Sequence, residues 1–514
     1  MMNFRPDFKP REYQKNIASI AKWRNTLVIL PTGTGKTIIG LIVAIHRLNK
    51  YPDSKVIILA PTRPLANQHR ETFLKFVEIN ENDIVVVTGK IRKDDRKKFY
   101  EKAKIICATP QVIKNDIVNN SLSLENISLI IFDECHRAVK DYPYTFIANE
   151  YVRKSKYPLI LGLTASPGSE KEKIEEIKKN LFIKAVEMRT EWDKDIRKYI
   201  KKIKKVYIYV NLPEEIKKAI KEITIVEKEL IEWLMKYNVL NTSSPKKKDL
   251  IILQKKLIEK ISKGELSEGI HRAILQKLLL LIKVEYMLEL LETQSAKHFI
   301  EYIKKLKNSY KRHEKILVSD PRIRHAKMLI EDFLKNDLPH PKMVKLIEII
   351  RKILSEQPDA KIIVFANYRS TVDFINKKLR ENGVKSNILV GQAKRSGKGM
   401  SQKEQIKMIE EFANGMFNVL ICSSVGEEGL DIPKTDYAIF YEPVPSEIRS
   451  IQRRGRVGRQ STGTVIFLIT KGTRDEGYYW ASFHKERRMR RIIRDSKKNI
   501  SNKNKIFHWL GDEK

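Results

Sequence analysis

Cysteine is scarce in this chain of 514 residues, which contains three: Cys107, Cys135 and Cys422. The number is odd and no two of them form a C-x-x-C pair. The sequence therefore excludes a disulfide framework and a four-cysteine zinc or iron–sulfur site, and it fits a reducing compartment.

Long hydrophobic runs are also absent. The longest apolar stretch lies around Ile38 to Ile45, far short of the roughly 18 residues that a membrane-spanning helix needs. The chain begins with MMNFRPDFKPREYQ, which is polar and has no apolar core of a signal peptide. We therefore expect a cytoplasmic protein, or a nuclear one in a eukaryote, with no membrane partner.

Acidic residues are few relative to basic ones. Lys and Arg number 100 against 63 Asp and Glu, a net charge of +37. Such a field attracts polyanions, so nucleic acid is the expected partner. The alternative is a lysine-rich surface set by genome composition or a hot habitat, but there Lys and Glu rise together, which explains high charge and not an imbalance.

The remaining composition is that of a folded protein with several domains. Hydrophobic residues make up 42% of the chain and charged residues 32%, which excludes disorder as the main state. At roughly 150 residues per domain, the length predicts about three domains.

Short apolar runs, each followed by a turn and a helical pattern, occur in two blocks of the sequence. Continuous apolar runs that alternate with helices predict parallel sheets covered on both faces. The runs are TLVIL (26–30), VIILA (56–60), IVVV (84–87), KIICA (104–108), SLIIF (128–132) and LILGL (159–163), then KIIVFA (361–366), SNILV (386–390), NVLIC (418–422), YAIFY (437–441) and TVIFLIT (464–470). We predict an α/β fold with two tandem parallel-sheet domains, at 1–199 and 336–484.

Between the two blocks the pattern becomes helical. Apolar residues at steps of three, four and seven predict one buried helix face: Ile216, Ile220, Ile223, Leu230 and Leu234. No proline interrupts the chain between Pro245 and Pro321. We predict a helical insertion at 200–335, whose lysine runs (246–248 and 255–256) are either solvated faces or a second nucleic-acid surface. A basic helix or tail is expected at 485–514.

The turn after the first apolar run reads PTGTGKT, from Pro31 to Thr37. In a phosphate-binding loop, Gly33 and Gly35 let the backbone N–H groups of Thr32 to Gly35 surround phosphate oxygens, Lys36 reaches the β- and γ-phosphates, and the Thr37 hydroxyl ligates Mg²⁺. The chain departs from the general pattern in having Leu30 in place of the first glycine. The alternative is a chance match on a loop that binds nothing.

Two carboxylates, Asp133 and Glu134, follow the apolar run SLIIF. A parallel sheet binds its ligand at the carboxyl ends of its strands. Asp133 is therefore a candidate Mg²⁺ ligand, and Glu134 a candidate base that orients and deprotonates the attacking water. The alternative, a helix cap without catalytic function, loses weight once the phosphate-binding loop is taken into account.

The spelling DECH (Asp133 to His136) resembles superfamily 2 helicases. It occurs with TAS (164–166), SSVGEEGLDIP (423–433) and QRRGRVGR (452–459) in the order and spacing of that family. The segments REYQ (11–14), APTRPLANQ (60–68) and GMSQKEQ (399–405) and the insertion bring the likeness closest to the archaeal Hef and eukaryotic FANCM/Mph1 DNA-repair helicases. The resemblance implies two RecA-like domains that use ATP and Mg²⁺, with the insertion acting as a thumb-like domain.

The resemblance also implies roles for residues outside the two motifs above. Gln14, with Arg11, would read adenine. Arg456 and Arg459 would act as arginine fingers on the γ-phosphate, to which a planar guanidinium is suited. Further roles fall to nucleotide contacts at Gly429 and Asp431 and to residues that couple hydrolysis to grip, Thr164, Ser166 and Gln452.

A nucleic-acid surface is implied across both domains, at turns after strands where hydroxyl and N–H groups hold phosphates without reading bases. Its residues would be Pro61, Thr62, Arg63, Thr88, Gly89, Thr109, Pro110, Asn367, Arg369 and Ser424. The likeness favours forked, branched or single-stranded DNA. Two alternatives stay open: an RNA helicase, because nothing in these motifs tests for a 2′-hydroxyl, and a nucleic-acid-binding scaffold with a decayed ATP site.

Two further expectations concern partners. Some Hef proteins carry a nuclease of the XPF type with an E-R-K-x-x-x-D motif, which this chain lacks; the nearest string is Glu486-Arg487-Arg488. We expect no nuclease activity from this polypeptide, and a separate nuclease is a candidate partner. The segment from Lys503 to Leu510 resembles a sliding-clamp-binding peptide, although a helix end that packs its aromatic residues is the simpler interpretation.

Overall fold

Two parallel β-sheets, with a block of helices between them in sequence, form the computed structural model of the chain. It describes residues 2–200, 203–245, 247–263, 268–335, 340–392, 399–423, 426, 430, 432–458 and 463–509, without the side chains of 248, 268, 493, 494 and 496–509. The α/β architecture predicted from the sequence is confirmed.

The first sheet belongs to the N-terminal lobe and its strands are all parallel. The strands are β1 (Thr26–Ile29), β2 (Lys55–Leu59), β3 (Ile84–Val87), β4 (Ile105–Ala108), β5 (Ile127–Asp133), β6 (Ile160–Thr164) and β7 (Ala185–Met188). Their order is β3-β4-β2-β5-β6-β1-β7. Alternate residues of a strand enter two cores, one on each face: Leu27 and Ile29 in one, Val28 and Leu30 in the other.

Helices cover both faces of this sheet, which is why its central strands are apolar on both sides. They are α1 (Glu12–Ala21), α2 (Lys36–Lys50), α3 (Arg63–Phe76), α4 (Lys93–Lys102), α5 (Pro110–Val118), α6 (Pro143–Lys154), α7 (Lys171–Asn180) and α8 (Lys194–Arg197).

The insertion is helical and has its own apolar core. Its helices are α9 (Glu214–Lys236), α10 (Lys247–Ser262), α11 (Glu268–Glu289), α12 (Ala296–Lys307), α13 (Arg312–Ser319) and α14 (Pro321–Lys335), with a π-helical turn at Leu290–Gln294. The face predicted on α9 is confirmed: Ile216, Ile223, Leu230 and Leu234 are buried and Ile220 is partly buried.

The second sheet forms the C-terminal lobe and is parallel as well. Its strands are β8 (Ile203–Val210), β9 (Ile362–Phe365), β10 (Ser386–Leu389), β11 (Val419–Cys422), β12 (Tyr437–Phe440) and β13 (Gly463–Thr470), in the order β10-β11-β9-β12-β13-β8. The helices of this lobe are α15 (Pro341–Glu356), α16 (Arg369–Glu381), α17 (Gln402–Ala413), α18 (Glu447–Arg454) and α19 (Arg474–Trp509).

Strand β8 corrects the predicted start of the helical insertion at residue 200. Residues 203–210 pair with β13 along its whole length, so the second lobe takes a strand from the chain that precedes the insertion. The boundary predicted at 484/485 also falls inside a continuous helix, α19. Both departures have the same cause: β8 and α19 are half-exposed, lysine- and arginine-rich elements whose charged residues resemble those of a solvated segment.

The insertion is fixed to the second lobe by Arg474, the first residue of α19. Its guanidinium forms ion pairs with Glu227 of α9 and with Glu285 and Glu292 of the α11 region, at 3.4, 2.8 and 3.5 Å. Burial raises the pKa of Glu227 to about 8, and the neighbouring Glu285 adds to the rise. One cation among three carboxylates therefore favours a protonated Glu227 at neutral pH.

Two expectations from the composition can be compared with the structure. All three cysteines are buried, and none of them forms a disulfide bond. Across the described ranges, no helix combines the length and the apolar character that a membrane crossing requires.

Candidate functional site

Three motif turns meet at the carboxyl edge of the first sheet because their strands are neighbours. Strands β5, β6 and β1 are adjacent in the sheet. The loop Pro31–Gly35 follows β1, Asp133 and Glu134 lie at the end of β5, and Thr164 ends β6. The order of the motifs along the chain does not show that they are neighbours in space. They are neighbours because of the order of the strands in the sheet.

The loop after β1 has a backbone that requires its glycines. Gly33 has φ +75° and Gly35 has φ +78°, in the left-handed region that residues with a Cβ adopt only under strain. Helix α2 starts at Lys36, so its N-terminus opens onto the loop, as in phosphate-binding sites. The Lys36 ammonium lies 3.5 Å from the Leu30 carbonyl oxygen, and Thr37 is half-buried in the first turn of α2.

Helix α1 packs its N-terminus on this loop. The Gln14 amide group donates to the carbonyl oxygens of Thr34 and Gly35, both at 3.3 Å, and its oxygen accepts from the Arg11 backbone N–H at 2.8 Å. The Tyr13 hydroxyl also donates to the Thr34 carbonyl. Gln14 is thus hydrogen-bonded to the loop that follows β1.

Asp133 ends β5, and the next residue turns sharply. Glu134 has φ +48°, a left-handed conformation that is costly outside glycine and is found at functional turns. The Glu134 backbone N–H donates to Asp133 Oδ1 at 2.9 Å. The Tyr144 hydroxyl donates to the Asp133 carbonyl oxygen at 2.7 Å. The turn that aims both carboxylates is therefore held on both sides.

His69 of α3 is the second partner of Asp133. Its Nε2 lies 2.9 Å from Asp133 Oδ2, and both side chains are largely buried. Burial raises the pKa of Asp133, but the hydrogen bond and charge of His69, the charge of Lys36 and the Glu134 N–H outweigh it and hold this pKa below its ordinary value. His69 was not predicted from the sequence. It directly follows the motif APTRPLANQ and shares a buried helix face with Ala66 and Phe73.

A chain of polar contacts leads from Glu134 to the turn after β6. His136 Nδ1 lies 3.2 Å from Glu134 Oε2 and 3.2 Å from Thr164 Oγ1. The Thr164 hydroxyl is within 3.1 Å of both the N–H and the carbonyl oxygen of Ser166. The Ser166 hydroxyl meets Met489 Sδ at 2.9 Å, so α19 of the second lobe contacts the first lobe at this turn. The structure therefore connects the predicted coupling residues Thr164 and Ser166 to Glu134.

The second lobe approaches the loop after β1 at two points. A Cβ built on Gly455 would lie 2.7 Å from the Thr32 Cβ, so only glycine permits this contact between the lobes. A Cβ built on Gly33 would lie 2.9 Å from Lys434 Nζ, which the sequence analysis did not single out.

Two of the predicted residues lie in the arginine-bearing helix α18 and just after it. Gln452 is buried in α18, and Arg456 follows the helix and donates to the Leu430 carbonyl oxygen at 3.0 Å. Four other predicted residues, Ser424, Gly429, Asp431 and Arg459, lie outside the described residues. The side chains of 503–510, the clamp-like peptide, do so as well.

The predicted nucleic-acid residues of the first lobe gather along one end of the sheet. They occupy the turns after β2, β4 and β3, which are consecutive strands. The nearest heavy atom to a Cβ built on Gly89 is Arg63 NH2, at 3.8 Å, so two of these turns approach each other. Two of the turns also lead into the N-termini of helices α3 and α5, and a helix N-terminus is a favourable position for phosphate. The residues are Pro61, Thr62, Arg63, Thr88, Gly89, Thr109 and Pro110.

In the second lobe, the predicted nucleic-acid residues are tied to the arginine-bearing helix. Asn367 follows β9, and its side-chain oxygen accepts from Arg453 NH2 at 2.7 Å. Arg453 NH1 donates to the Glu442 carbonyl oxygen at 3.0 Å, and the Glu442 carboxylate accepts from the Asn367 backbone N–H. Arg369, at the start of α16, donates to the Gly391 carbonyl oxygen. The fully buried Arg453 thus connects α18 to the turn that carries Asn367, a predicted nucleic-acid residue, and the motif spelling alone does not reveal this link.

Comparison with known protein families gives two matches. Residues 11–174 match the DEAD/DEAH box helicase family, and residues 341–461 match the helicase conserved C-terminal domain. The two matched regions contain strands β1 to β6 of the first sheet and strands β9 to β12 of the second, and the helical insertion lies between the two regions.

Individual proteins resemble the chain over most of its length. A putative ATP-dependent RNA helicase of Methanocaldococcus jannaschii is 43% identical over 94% of this chain and 61% of that protein. The ATP-dependent DNA helicase mph1 of Neurospora crassa is 30% identical over 91% of this chain and 41% of that protein. The chain therefore spans about three fifths or less of these relatives.

A solved structure also matches. The crystal structure of the Pyrococcus furiosus Hef helicase domain has a TM-score of 0.71 and 45% sequence identity, and the match covers 92% of this chain and 98% of that one.

Proposed function

The chain belongs to the DEAD/DEAH box helicases, in the group that includes the Hef and FANCM/Mph1 proteins, and we propose that it is a nucleic-acid-stimulated ATPase that separates or remodels the strands of forked DNA. The observation that carries this proposal is the meeting of the Gly33–Gly35 loop, Asp133 and Glu134 on neighbouring strands, with Gly455 of the second lobe against the same loop.

The ATP site is built from both lobes. The backbone N–H groups of the loop and the Lys36 ammonium bind the β- and γ-phosphates. Arg456 and Arg459, from the second lobe, neutralise charge on the γ-phosphate as the lobes close. Gln14 and Arg11, together with Gly429 and Asp431, complete the nucleotide contacts.

The donors at this site fit Mg²⁺. Thr37 offers a hydroxyl and Asp133 a carboxylate, both oxygen ligands of the kind that this ion takes. Each Asp133 oxygen accepts one hydrogen bond, from His69 or from the Glu134 N–H, and keeps a lone pair for the ion or its bound water. Held by Thr37 and Asp133, the ion would supply positive charge that offsets the negative charge of the phosphates.

Hydrolysis proceeds from a water molecule that Glu134 orients and deprotonates. The proton moves from this water to the Glu134 carboxylate as the water oxygen attacks the γ-phosphorus. The bond between the γ-phosphorus and the β,γ-bridging oxygen breaks, its electron pair stays on that oxygen, and ADP and phosphate are the products. His136, 3.2 Å from Glu134 Oε2, transmits the state of that carboxylate to Thr164 and Ser166. This chain of contacts and the Arg453–Asn367 bond are two routes by which the ATP site and the nucleic-acid surface influence each other.

DNA is the substrate that the relatives favour. The Neurospora, Drosophila and Schizosaccharomyces proteins are named DNA helicases, whereas the Methanocaldococcus and Arabidopsis proteins are named RNA helicases. The contacts proposed here grip phosphates, so they do not themselves distinguish the two. RNA is the second candidate, and the excess of positive charge fits both.

The remaining proposals are narrower. A separate nuclease is a candidate partner, and the segment 503–510 is a candidate ligand for a sliding clamp. Cytoplasmic or nuclear localisation follows from the substrate.

A strand-separation assay tests the proposal. Forked DNA and a matched forked RNA, each labelled on one strand, are incubated with the chain, ATP and Mg²⁺ at one salt concentration. We expect ATP-dependent release of the DNA strand that Lys36→Ala abolishes and Lys50→Ala, at the far end of α2, retains. Release from RNA alone would move the protein to the RNA interpretation, and no release from either substrate would contradict the proposal.

A further inference from the structure

Helix α19 exposes large aromatic side chains on the face that points away from the protein. Trp480 is 48% exposed and Phe483 is 40% exposed. Their ring centroids are 5.7 Å apart, and the His484 ring stacks on Trp480 at 5.9 Å with an interplanar angle of 29°. Large apolar rings left in contact with water as a group mark an interaction site more often than scattered ones do.

The adjacent edge strand β8 extends this surface. Tyr207 and Tyr209 point to the α19 side of the sheet, where they are 39% and 45% exposed. The Tyr479 ring, at the base of α19, lies 5.3 Å from the rings of both Tyr207 and Trp480 and connects the two groups. The Lys471 ammonium lies 6.0 Å from the centroid of Tyr209. Four exposed rings therefore form one continuous patch with a cation at its edge.

Positive charge continues the patch along the helix. Trp480, His484, Arg487 and Arg491 follow each other at steps of four, three and four, which puts them on one helical face. Arg487, Arg488 and Arg491 are exposed, and none of the described acidic residues forms an ion pair with them. The acidic Glu486 points the other way and pairs with Arg454 at 2.5 Å and with Arg490 at 2.7 Å.

Arg490 shows that the arginines on the two sides of α19 differ in their ion pairs. Arg490 is partly buried and binds both Glu191 of the first lobe and Glu486. The inward arginine is thus neutralised, while the outward ones keep their charge. After Glu486, the next acidic residue along α19 is Asp495.

We propose that the aromatic–arginine face (Tyr207, Tyr209, Trp480, Phe483, Arg487 and Arg491) binds single-stranded nucleic acid, outside the surface formed by the strand-end turns of the two lobes. Bases stack on the exposed rings and the following phosphates bind the arginines, which is the combination that sequence-independent single-strand binders use. A protein occupant would have to bring carboxylates to satisfy the arginines, whereas a nucleic acid supplies both a π-face and an anion at every residue.

During strand separation, the face would hold the single-stranded arm of a fork. This use of the face rests on the proposed function, whereas the binding itself does not. An arm held on α19 stays attached to the second lobe while the strand-end turns release and rebind the backbone. Binding to the face itself needs no ATP.

The test is the affinity of the full chain for fluorescein-labelled dT20, measured by anisotropy without nucleotide. Trp480→Leu with Phe483→Ser removes the two rings, and the leucine keeps much of the apolar contact that holds the helix in place. We expect binding at least about fivefold weaker, because each stacked base is worth a factor of that size or more. Trp23→Leu, which alters an exposed tryptophan on the first lobe, is expected to bind normally.

Arg487→Gln with Arg491→Gln gives an independent readout. Loss of two phosphate contacts lowers the slope of log affinity against log salt by about 1.4, at about 0.7 per contact for a single strand. Ultraviolet crosslinking of an oligonucleotide that carries 5-iododeoxyuridine is expected to map to Trp480 or Phe483.

Unchanged dT20 affinity and salt slope in these variants, with crosslinks only at the strand-end turns such as Pro61–Arg63, would overturn the proposal. Because the assay contains no ATP, an inactive ATPase leaves its result intact. Conversely, the variants are expected to keep the basal ATP hydrolysis and thermal midpoint of the parent chain.

Discussion

Replacement of His69 by alanine is expected to weaken Mg²⁺ binding, so that ATP hydrolysis requires a higher Mg²⁺ concentration. His69 makes no proposed contact with nucleotide or nucleic acid. Its one hydrogen bond in the site joins its Nε2 to Asp133 Oδ2 at 2.9 Å. The substitution therefore tests whether the carboxylate proposed to hold the ion depends on this neighbour for its orientation.

The size of the effect follows from burial. The side chains of His69 and Asp133 are 6% and 13% exposed, so water cannot easily replace the lost donor. Loss of a partner that orients a metal ligand weakens metal binding by about 10- to 100-fold. A hydrogen bond to a charged group is worth about 1.5–3 kcal/mol, which corresponds to a similar factor.

The assay is steady-state ATP hydrolysis with saturating forked DNA and a titration of Mg²⁺. His69→Ala is expected to raise the Mg²⁺ concentration at half-maximal rate by about 10- to 100-fold, with a smaller change in the rate at saturating Mg²⁺. His69→Gln, whose side-chain amide can donate from nearly the position of Nε2, is expected to recover most of the loss.

A matched control comes from the exposed pair of His325 with Glu222, whose atoms lie 3.2 Å apart on the surface of the insertion. His325→Ala is expected to leave the Mg²⁺ titration unchanged. An unchanged titration for His69→Ala as well, in a protein with the parent thermal midpoint, would refute the reasoning about Asp133.

Two further predictions concern the second lobe. Arg453→Met keeps the length of the stem but removes the bonds to Asn367 and Glu442, so we expect a loss of about 3 kcal/mol that appears as a lower thermal midpoint; a parent-like midpoint would contradict the buried link. Glu227→Gln tests a pH dependence. Burial raises the pKa of the Glu227 carboxyl to about 8 in the folded protein, against about 4.3 in an unfolded chain. Between these two pH values the folded state binds one more proton than the unfolded state, so the free energy of unfolding falls by up to about 1.4 kcal/mol for each pH unit of increase. The thermal midpoint of the parent should therefore fall more steeply from pH 5 to 9 than that of the glutamine variant, and parallel curves would show that Glu227 is not protonated when folded.

The sheets were predictable because their central strands are buried on both faces. All eleven apolar runs form strands, since a parallel strand between two helical layers has no solvent side and needs no polar residues. The two strands missed, β7 and β8, are edge strands. In β8, lysine and tyrosine alternate with apolar residues, which obscures the pattern that identified the others.

The position of the candidate site in the fold was predictable where its residues lie at strand ends. The phosphate-binding loop, Asp133, Glu134 and Thr164 follow strands, and parallel strands bring their carboxyl ends to one edge. The contacts of His69 with Asp133 and of Arg453 with Asn367 were not predictable, because each joins residues far apart in sequence through tertiary packing. His69 and Arg453 look like ordinary helix residues until the partner is seen.

The most direct test of the central claim is ATP hydrolysis by the parent chain and by Glu134→Gln. Both are assayed without nucleic acid, with single-stranded DNA, with forked DNA and with matched RNAs, at one stated salt concentration because phosphate contacts are salt-dependent. The account predicts that forked DNA stimulates the parent most, and that Glu134→Gln binds ATP but loses turnover by about 10²-fold or more, as expected for a general base. Undiminished hydrolysis in Glu134→Gln, or no turnover by the parent with any nucleic acid, would contradict it.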